Sequence, residues 1–138
     1  KALQCFASKC EKLESRAENG LHGLVVPTEI QIRADVDAKG GRNQHFAALV
    51  QSELSFKWPF LFLGFATNGV DYIDGVQGAY CVNSSSLLPF DAKFLKQCIE
   101  KTNTNLWHSQ QGTLIKGPKT GHNVSDLALF VFEKSEIN

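Results

Sequence analysis

The chain of 138 residues has no methionine, no net charge and no long apolar run. Its 14 basic side chains balance 14 acidic ones, which excludes the strongly basic surface of a general nucleic-acid binder. The longest apolar stretch, Trp58 to Ala66, is about half the ~18–20 residues of a membrane-spanning helix. We therefore predict a soluble protein with no membrane partner, folded as a single domain over residues 1–138.

Several short motifs of catalytic and metal sites are also missing. None of the histidines (His22, His45, His108 and His122) lies in a His-x-x-x-His spacing, and no Gly-x-Ser-x-Gly motif occurs. These absences argue against a metal site and against serine-hydrolase chemistry. The segment Gly117-Pro-Lys-Thr-Gly121 lacks the spacing of a phosphate-binding loop and is expected to be a turn. The sequence indicates no cofactor.

The four cysteines, Cys5, Cys10, Cys81 and Cys98, suggest two disulfide bonds. An even cysteine count in a small chain without methionine fits a secreted protein whose signal peptide has been removed. A helix over residues 3–17 would place Cys5 and Cys10 about 140° apart, so we expect each to pair with Cys81 or Cys98. A local Cys5–Cys10 loop, free buried thiols and a metal site stay open as alternatives.

Two sequons, which begin at Asn83 and Asn123, agree with secretion. The Asn-x-Ser triplet is the acceptor for N-linked glycans in exported proteins. We therefore predict a secreted glycoprotein with Asn83 and Asn123 as its candidate glycosylation sites, and the sequence does not determine whether they carry glycans.

The spacing of apolar residues predicts an α+β fold. Steps of three and four predict helices over residues 3–17 and about 89–101. Alternating or continuous apolar runs predict strands over residues 24–36, 46–56, 60–66, 70–82, 111–116 and 126–133. Short turns between neighbours favour a mostly antiparallel sheet of about five to six strands, packed with two helices and stapled by disulfides. Strands 60–66 and 127–132 are apolar on both sides, so we expect both of their faces to be covered.

One part of the chain, within residues 45–83, resembles a known family. It contains Lys57-Trp58-Pro59-Phe60, followed by Gly69-Val-Asp-Tyr-Ile-Asp-Gly-Val-Gln-Gly78-Ala-Tyr-Cys-Val-Asn83. This arrangement is similar to the middle of the secreted fungal guanyl-preferring ribonucleases and of the ribonuclease-like effectors of plant-pathogenic fungi. The resemblance implies an exported protein with a role in virulence.

The resemblance also implies which residues could act in catalysis. A ribonuclease of this kind needs a base for the 2′-hydroxyl proton, an acid for the leaving oxygen and a cation for the phosphorane charge. Lys57 stands where the family has its base carboxylate, and Tyr80 stands where it has an arginine. His45 matches an upstream histidine, Glu53 could replace the base, and His108 could be the acid. The two replacements imply that catalysis has been lost.

We therefore predict a secreted, non-enzymatic interaction protein, such as a plant-pathogen effector that binds a host protein (an immune receptor) or RNA. The predicted binding residues are Arg42, His45, Lys57, Tyr80, Trp107 and His108. Arg42 and His45 belong to a polar turn that could contact phosphate, and Trp107 beside His108 could stack on a base. A solvated turn and a buried aromatic anchor are the respective alternatives.

Two other functions stay open. The first is an active secreted ribonuclease that uses His45, Glu53 and His108. The second is a small-ligand or sugar-binding module, in which the apolar strand from Phe60 to Phe65 lines a cavity. The sequence makes no prediction about the oligomeric state.

Overall fold

A computed structural model describes residues 1–33, 37–83 and 91–137. These residues form four helices and five strands. In chain order the elements are α1 (Ala2–Arg16), β1 (Gly20–Thr28), α2 (Arg42–Glu53), β2 (Phe60–Ala66), β3 (Val76–Val82), α3 (Ala92–Glu100), α4 (Thr104–Gln111), β4 (Leu114–Lys116) and β5 (Asp126–Lys134).

The five strands form one sheet in the order β1-β5-β2-β3-β4. Every neighbouring pair is antiparallel, so the predicted α+β fold with an antiparallel sheet is confirmed. The apolar strand β2 lies in the centre of the sheet, between β5 and β3, as its sequence predicts.

The helices form two layers on one face of this sheet. Phe6 of α1 packs edge-on against Phe46 of α2, Phe62 of β2 and Phe130 of β5, with ring centroids 5.3–5.7 Å apart. Helices α3 and α4 contact the outer side of α2, through a second apolar cluster that contains Leu95 and Trp107. Helix α2 is therefore a middle layer between the sheet and the α3–α4 pair.

This middle position explains why residues 46–56 were wrongly predicted to be a strand. Seven residues of α2, namely Asn43 to Ala48 and Val50, are buried. A helix that is covered on two sides carries apolar residues around its whole circumference, so the one-sided helical pattern is lost. Residues 104–110, for which the sequence analysis predicts neither a helix nor a strand, belong to helix α4.

The predicted bounds of two strands are also wrong. Strand β1 runs over Gly20–Thr28 instead of residues 24–36, of which 34–36 lie outside the described residues. Strand β3 begins only at Val76, so a loop of nine residues (67–75) follows β2. The predicted start of the second helix at residues 89–90 also lies outside the described residues.

The expectation that β2 and β5 are covered on both faces is wrong for the described part of the chain. The side chains of Phe60, Phe62, Phe130 and Phe132 face α1 and α2 and are buried. The alternate side chains point to the opposite face, where no described helix packs. We call this second surface the open face, and we define it as Leu21, Val25, Pro27, Leu61, Leu63, Phe65, Tyr80, Val82, Leu127, Leu129 and Val131.

The four cysteines are free thiols in this structure, so the predicted disulfide staple is unsupported. Cys10, Cys81 and Cys98 are buried in the apolar clusters, while Cys5 is exposed on α1. Burial raises the pKa of Cys10 to about 12 and also raises the pKa of Cys81, because the thiolate form is poorly solvated there. Secretion, which the cysteine count supported, stays an untested prediction.

Among the described helices, none has both the length and the apolar composition to span a membrane.

Candidate functional site

Three loops meet at one edge of the sheet, where β2 ends and β5 begins. We call this region the loop edge and define it as residues 39–43, 67–75 and 117–126. The Thr67 hydroxyl donates to the Ser125 carbonyl over 2.7 Å and accepts from the Val124 amide over 3.0 Å. These bonds hold the loop after β2 against the loop before β5.

Asp71 joins the loop after β2 to the first turn of α2. Its Oδ1 accepts from the backbone and side-chain amides of Asn43, over 3.1 and 3.0 Å. Its Oδ2 accepts from the backbone and side-chain amides of Gln44, over 2.9 and 3.1 Å. The buried carboxylate thus accepts from two of the N–H groups that have no partner inside the first turn of the helix. Asp71 positions α2 and has little accepting capacity left for other chemistry.

Gly41 allows this close approach between the loop and the helix. A Cβ atom at Gly41 would lie 2.2 Å from the Asp71 carboxyl carbon, far inside van der Waals contact. The glycine pair Gly40-Gly41, which precedes Arg42, is therefore required by packing rather than by a turn alone.

Arg42 is one of the basic side chains of the loop edge, which also contains Lys39 and Lys119. Its Nε contacts Oδ2 of Asp126, the first residue of β5, whose side chain is only 4% exposed, whereas the Arg42 side chain is 52% exposed. Asp126 is paired in register with Ala66 at the end of β2. One side of the guanidinium is therefore anchored on a buried carboxylate, and with respect to the described residues its terminal N–H groups can still bind an anion.

Two residues of the loop edge adopt left-handed backbone conformations without being glycine. Tyr72 has a φ of 68° and Ser125 has a φ of 93°. Such conformations cost of order 1–3 kcal/mol each and are concentrated at binding and catalytic sites. The exposed Tyr72 side chain stands directly after the buried Asp71.

Gln44 links the loop edge to helix α4. Its carbonyl oxygen lies 2.8 Å from Nε2 of His108, and its side-chain oxygen accepts from the Asn105 amide over 2.9 Å. Nδ1 of His108 lies 2.8 Å from the Thr113 hydroxyl. Burial lowers the pKa of His108 to about 4, because an imidazolium would lose its hydration there. His108 is therefore a neutral structural group inside the protein.

The residues of the ribonuclease hypothesis do not form one site. His45 and Glu53 of α2 line a cavity of about 460 Å³, beside the start of α1 and residues 30–33, but His108 does not line it. Nδ1 of His45 is buried without a hydrogen-bond partner among the described residues, and burial lowers the pKa of this histidine. The three groups therefore cannot act together on one phosphate.

The other predicted binding residues are also dispersed. Trp107 is fully buried and donates from Nε1 to the Gln51 side chain over 2.9 Å, so it cannot stack on a base. The ammonium group of Lys57 lies 4.7 Å from the centre of the Trp58 ring and 3.7 Å from Glu136. The Tyr80 hydroxyl donates to the Gly112 carbonyl. Of the six predicted binding residues, only Arg42 lies at the loop edge.

The side chains of the two predicted glycosylation sites, Asn83 and Asn123, differ in the hydrogen bonds they form. Both side-chain atoms of Asn83 are hydrogen-bonded, to the Phe60 amide and to the Trp58 carbonyl. Asn123 is exposed and accepts from the Ser125 amide. Glycosylation at both positions stays a prediction. In the part of the chain that the structure describes, no cluster of three or more His, Cys, Asp or Glu side chains could hold a metal ion.

Sequence reasoning missed Asp71 and Asp126 as members of the loop edge, and it missed Gln44 as the residue that links the loop edge to α4. A signal was present: Gly40-Gly41-Arg42-Asn43-Gln44 places two glycines directly before a polar helix start, which is typical of helix N-termini that approach another backbone or a ligand closely. It was interpreted as a hairpin turn because the following residues were assigned to a strand.

The fold occurs in two solved structures of longer proteins. A glycerate kinase from Thermotoga maritima superposes with a TM-score of 0.70 at 21% identity, over 92% of this chain and 31% of that chain. The PH0495 protein from Pyrococcus horikoshii OT3 superposes with a TM-score of 0.59 at 20% identity, over 82% of this chain and 26% of that chain. This chain thus spans about a third or less of the length of these proteins. No curated protein matches it.

The sequence itself matches the MOFRL family over residues 23–126. The resemblance to ribonucleases is therefore wrong, and so is the prediction of a secreted effector with a role in virulence. In this fold Trp58-Pro59 only leads into β2, with Trp58 bonded to Glu14, and the glycine-rich segment that follows forms the loop edge and β3. Because the matched residues make up most of its length, the chain belongs to the MOFRL family.

Proposed function

We propose that this chain is one domain of a metabolic enzyme that transfers a phosphoryl group to glycerate or a similar small hydroxy acid. The glycerate kinase from Thermotoga maritima supports this assignment, because its chain contains the same fold within a protein about three times as long. The reaction follows from that protein's name and is here a proposal for this chain.

The structural support for the proposal lies at the loop edge. Three loops from different parts of the chain converge there, with strained backbone at Tyr72 and Ser125 and with a guanidinium that is anchored on one side only. A substrate carboxylate or a transferred phosphate is an anion with two or more acceptor oxygens, and arginine binds such groups through paired N–H donors. We assign this contact to Arg42, with Asp126 and Asp71 as the groups that position it.

In the proposed reaction the substrate hydroxyl oxygen bonds to the terminal phosphorus of a nucleoside triphosphate. The bond from this phosphorus to the bridging oxygen breaks, a nucleoside diphosphate leaves, and the hydroxyl proton is released. Much of the catalysis of phosphoryl transfer comes from positioning and from charge stabilisation, which is the role that an anchored guanidinium can fill.

The test measures glycerate-dependent formation of nucleoside diphosphate by the natural full-length polypeptide that carries this chain. Loss of a charged hydrogen bond costs about 1.5–3 kcal/mol, so Arg42→Ala should lower kcat/KM by about 10- to 150-fold. Arg16→Ala, on the exposed end of α1 far from the loop edge, is the matched control and should change kcat/KM less than twofold.

Arg42→Lys and thermal melting separate a contact with the substrate from a loss of folding. The lysine keeps a charge near Asp126 but lacks the paired donors, so the variant should fold normally and recover activity only in part. Absence of glycerate-dependent turnover, or an Arg42→Ala variant with unchanged kcat/KM, would contradict the proposal.

A further inference from the structure

The open face is an apolar surface that the charged side chain of Glu133 borders at one end. Antiparallel register places Leu63 directly opposite Leu129 and Tyr80, and places Val25 opposite Leu129 from the other side. Residues directly opposite each other in an antiparallel pair project from the same face. At one end of the sheet, the pair on this face consists of Leu21 and the charged residue Glu133.

Much of this surface is accessible in the described chain. Leu21 is 74% exposed and Val25 is 61% exposed, and the apolar outward side chains of β2 and β5 are half-buried. Four strands at a spacing of ~4.8 Å and about seven residues at ~3.3 Å give a patch on the order of 400 Å² in plan. Contiguous apolar patches of several hundred Å² mark interaction sites on soluble proteins.

The covered face shows what fits a sheet of this size. There, α1 with 15 residues and α2 with 12 residues together bury the inward side chains of β5 and β2. Two helices suffice because packed helices lie about 8–10 Å apart, which matches a width of four strands at ~4.8 Å. The open face has the same strands and the same width, and apart from Glu133 at one end the side chains that define it are uncharged.

We propose that the open face is covered by a pair of amphipathic helices from another segment of the natural polypeptide, so that the sheet lies between two helical layers. An apolar sheet face is stable when it is buried against such a layer. The proposal rests on the proposed function in one respect: it requires that this chain is part of a longer protein. The Thermotoga maritima structure supports this, because the fold there accounts for only 31% of the chain.

Photo-crosslinking in the natural full-length polypeptide identifies the occupant. Phe65, on the central strand β2 at the end of the open face beside the loop edge, is replaced by p-benzoyl-phenylalanine, which keeps the aromatic ring. The matched control carries the same photoreactive residue at Leu106, an exposed apolar position on α4. Isotopically light and heavy copies are mixed before irradiation, and the joined peptides are identified by mass spectrometry.

The expected result is a crosslink from position 65 to a peptide outside residues 1–138 of the same copy, at least tenfold more abundant than from position 106. Crosslinks between light and heavy copies would show that a second copy covers the face and would overturn the proposal. A lack of crosslinks, or crosslinks confined to residues 1–138, would also overturn it.

The same preparations distinguish this inference from the proposed function. Glycerate-dependent turnover without the expected crosslink would refute the helical layer and leave the enzyme assignment intact. The expected crosslink without any glycerate-dependent turnover would support the helical layer and refute the enzyme assignment.

Discussion

The burial of His108 predicts that acid destabilises this fold within a defined pH range. Nε2 lies 2.8 Å from the Gln44 carbonyl, which can only accept a hydrogen bond, so Nε2 carries the proton of the neutral ring. Nδ1 then accepts from the Thr113 hydroxyl. A second proton on Nδ1 would break this arrangement and leave a charge in the interior.

The magnitude follows from the difference in pKa between the folded and unfolded chain. Burial lowers the pKa of His108 from 6.5 to about 4, so between these pH values the unfolded chain binds a proton that the folded chain does not. The unfolding free energy is therefore unaffected by His108 above pH 6.5 and falls as the pH drops toward 4. At about 1.4 kcal/mol per pKa unit, the loss amounts to about 3 kcal/mol.

Urea unfolding at several pH values between 4 and 7.5 measures this loss. His108→Gln cannot titrate, so its unfolding free energy should be lower at pH 7 but should fall by about 3 kcal/mol less than that of the parent chain on the way to pH 4. His122→Gln, at an exposed position, is the matched control and should keep the parent pH profile. His45, whose pKa burial also lowers, adds to the slope of all three proteins alike.

A pH profile of His108→Gln that runs parallel to the parent profile would refute this reasoning. It would mean that His108 is protonated in the folded state with a near-normal pKa, and hence that its surroundings are wetter than the structure shows.

Two further predictions concern the thiols and the glycine at the helix start. Without reductant, a thiol reagent should modify only Cys5 in the folded chain and all four cysteines in denaturant; fewer than four reactive thiols in denaturant would restore the disulfide hypothesis. Gly41→Ala should lower the unfolding free energy by about 2 kcal/mol or more, because its methyl group would overlap the Asp71 carboxylate. Gly23→Ala, whose added Cβ would meet its nearest atom at 3.8 Å, is the control in the same urea titration; equal losses in the two variants would contradict the packing at Gly41.

The elements that were predicted correctly are those with one buried side. Helix α1 buries Phe6 and Cys10 and exposes Lys9, Glu11 and Lys12, so a helical period is visible. Strand β2 was recognised from a short, continuous apolar run, which is typical of a central strand. Helix α2 has neither signal, because the sheet buries one of its sides and α3 with α4 bury the other.

The functional prediction failed for a related reason. Trp58-Pro59 and the glycines that follow are compatible with several folds, since a strand start and a loop need similar residues in all of them. The sequence also did not reveal which side chains are exposed. Trp107 and His108 are adjacent in a polar stretch, yet both are fully buried.

The amino-acid sequence by itself determined the class of the fold, its central strands and the first helix, because these depend on the local alternation of apolar and polar residues. The tertiary structure decided which polar residues share a site. Asp71 meets Asn43 and Gln44, and Arg42 meets Asp126, only because the sheet order brings the end of β2 beside the start of β5 and under the first turn of α2. These contacts join segments that are distant in the chain, and no local periodicity encodes them.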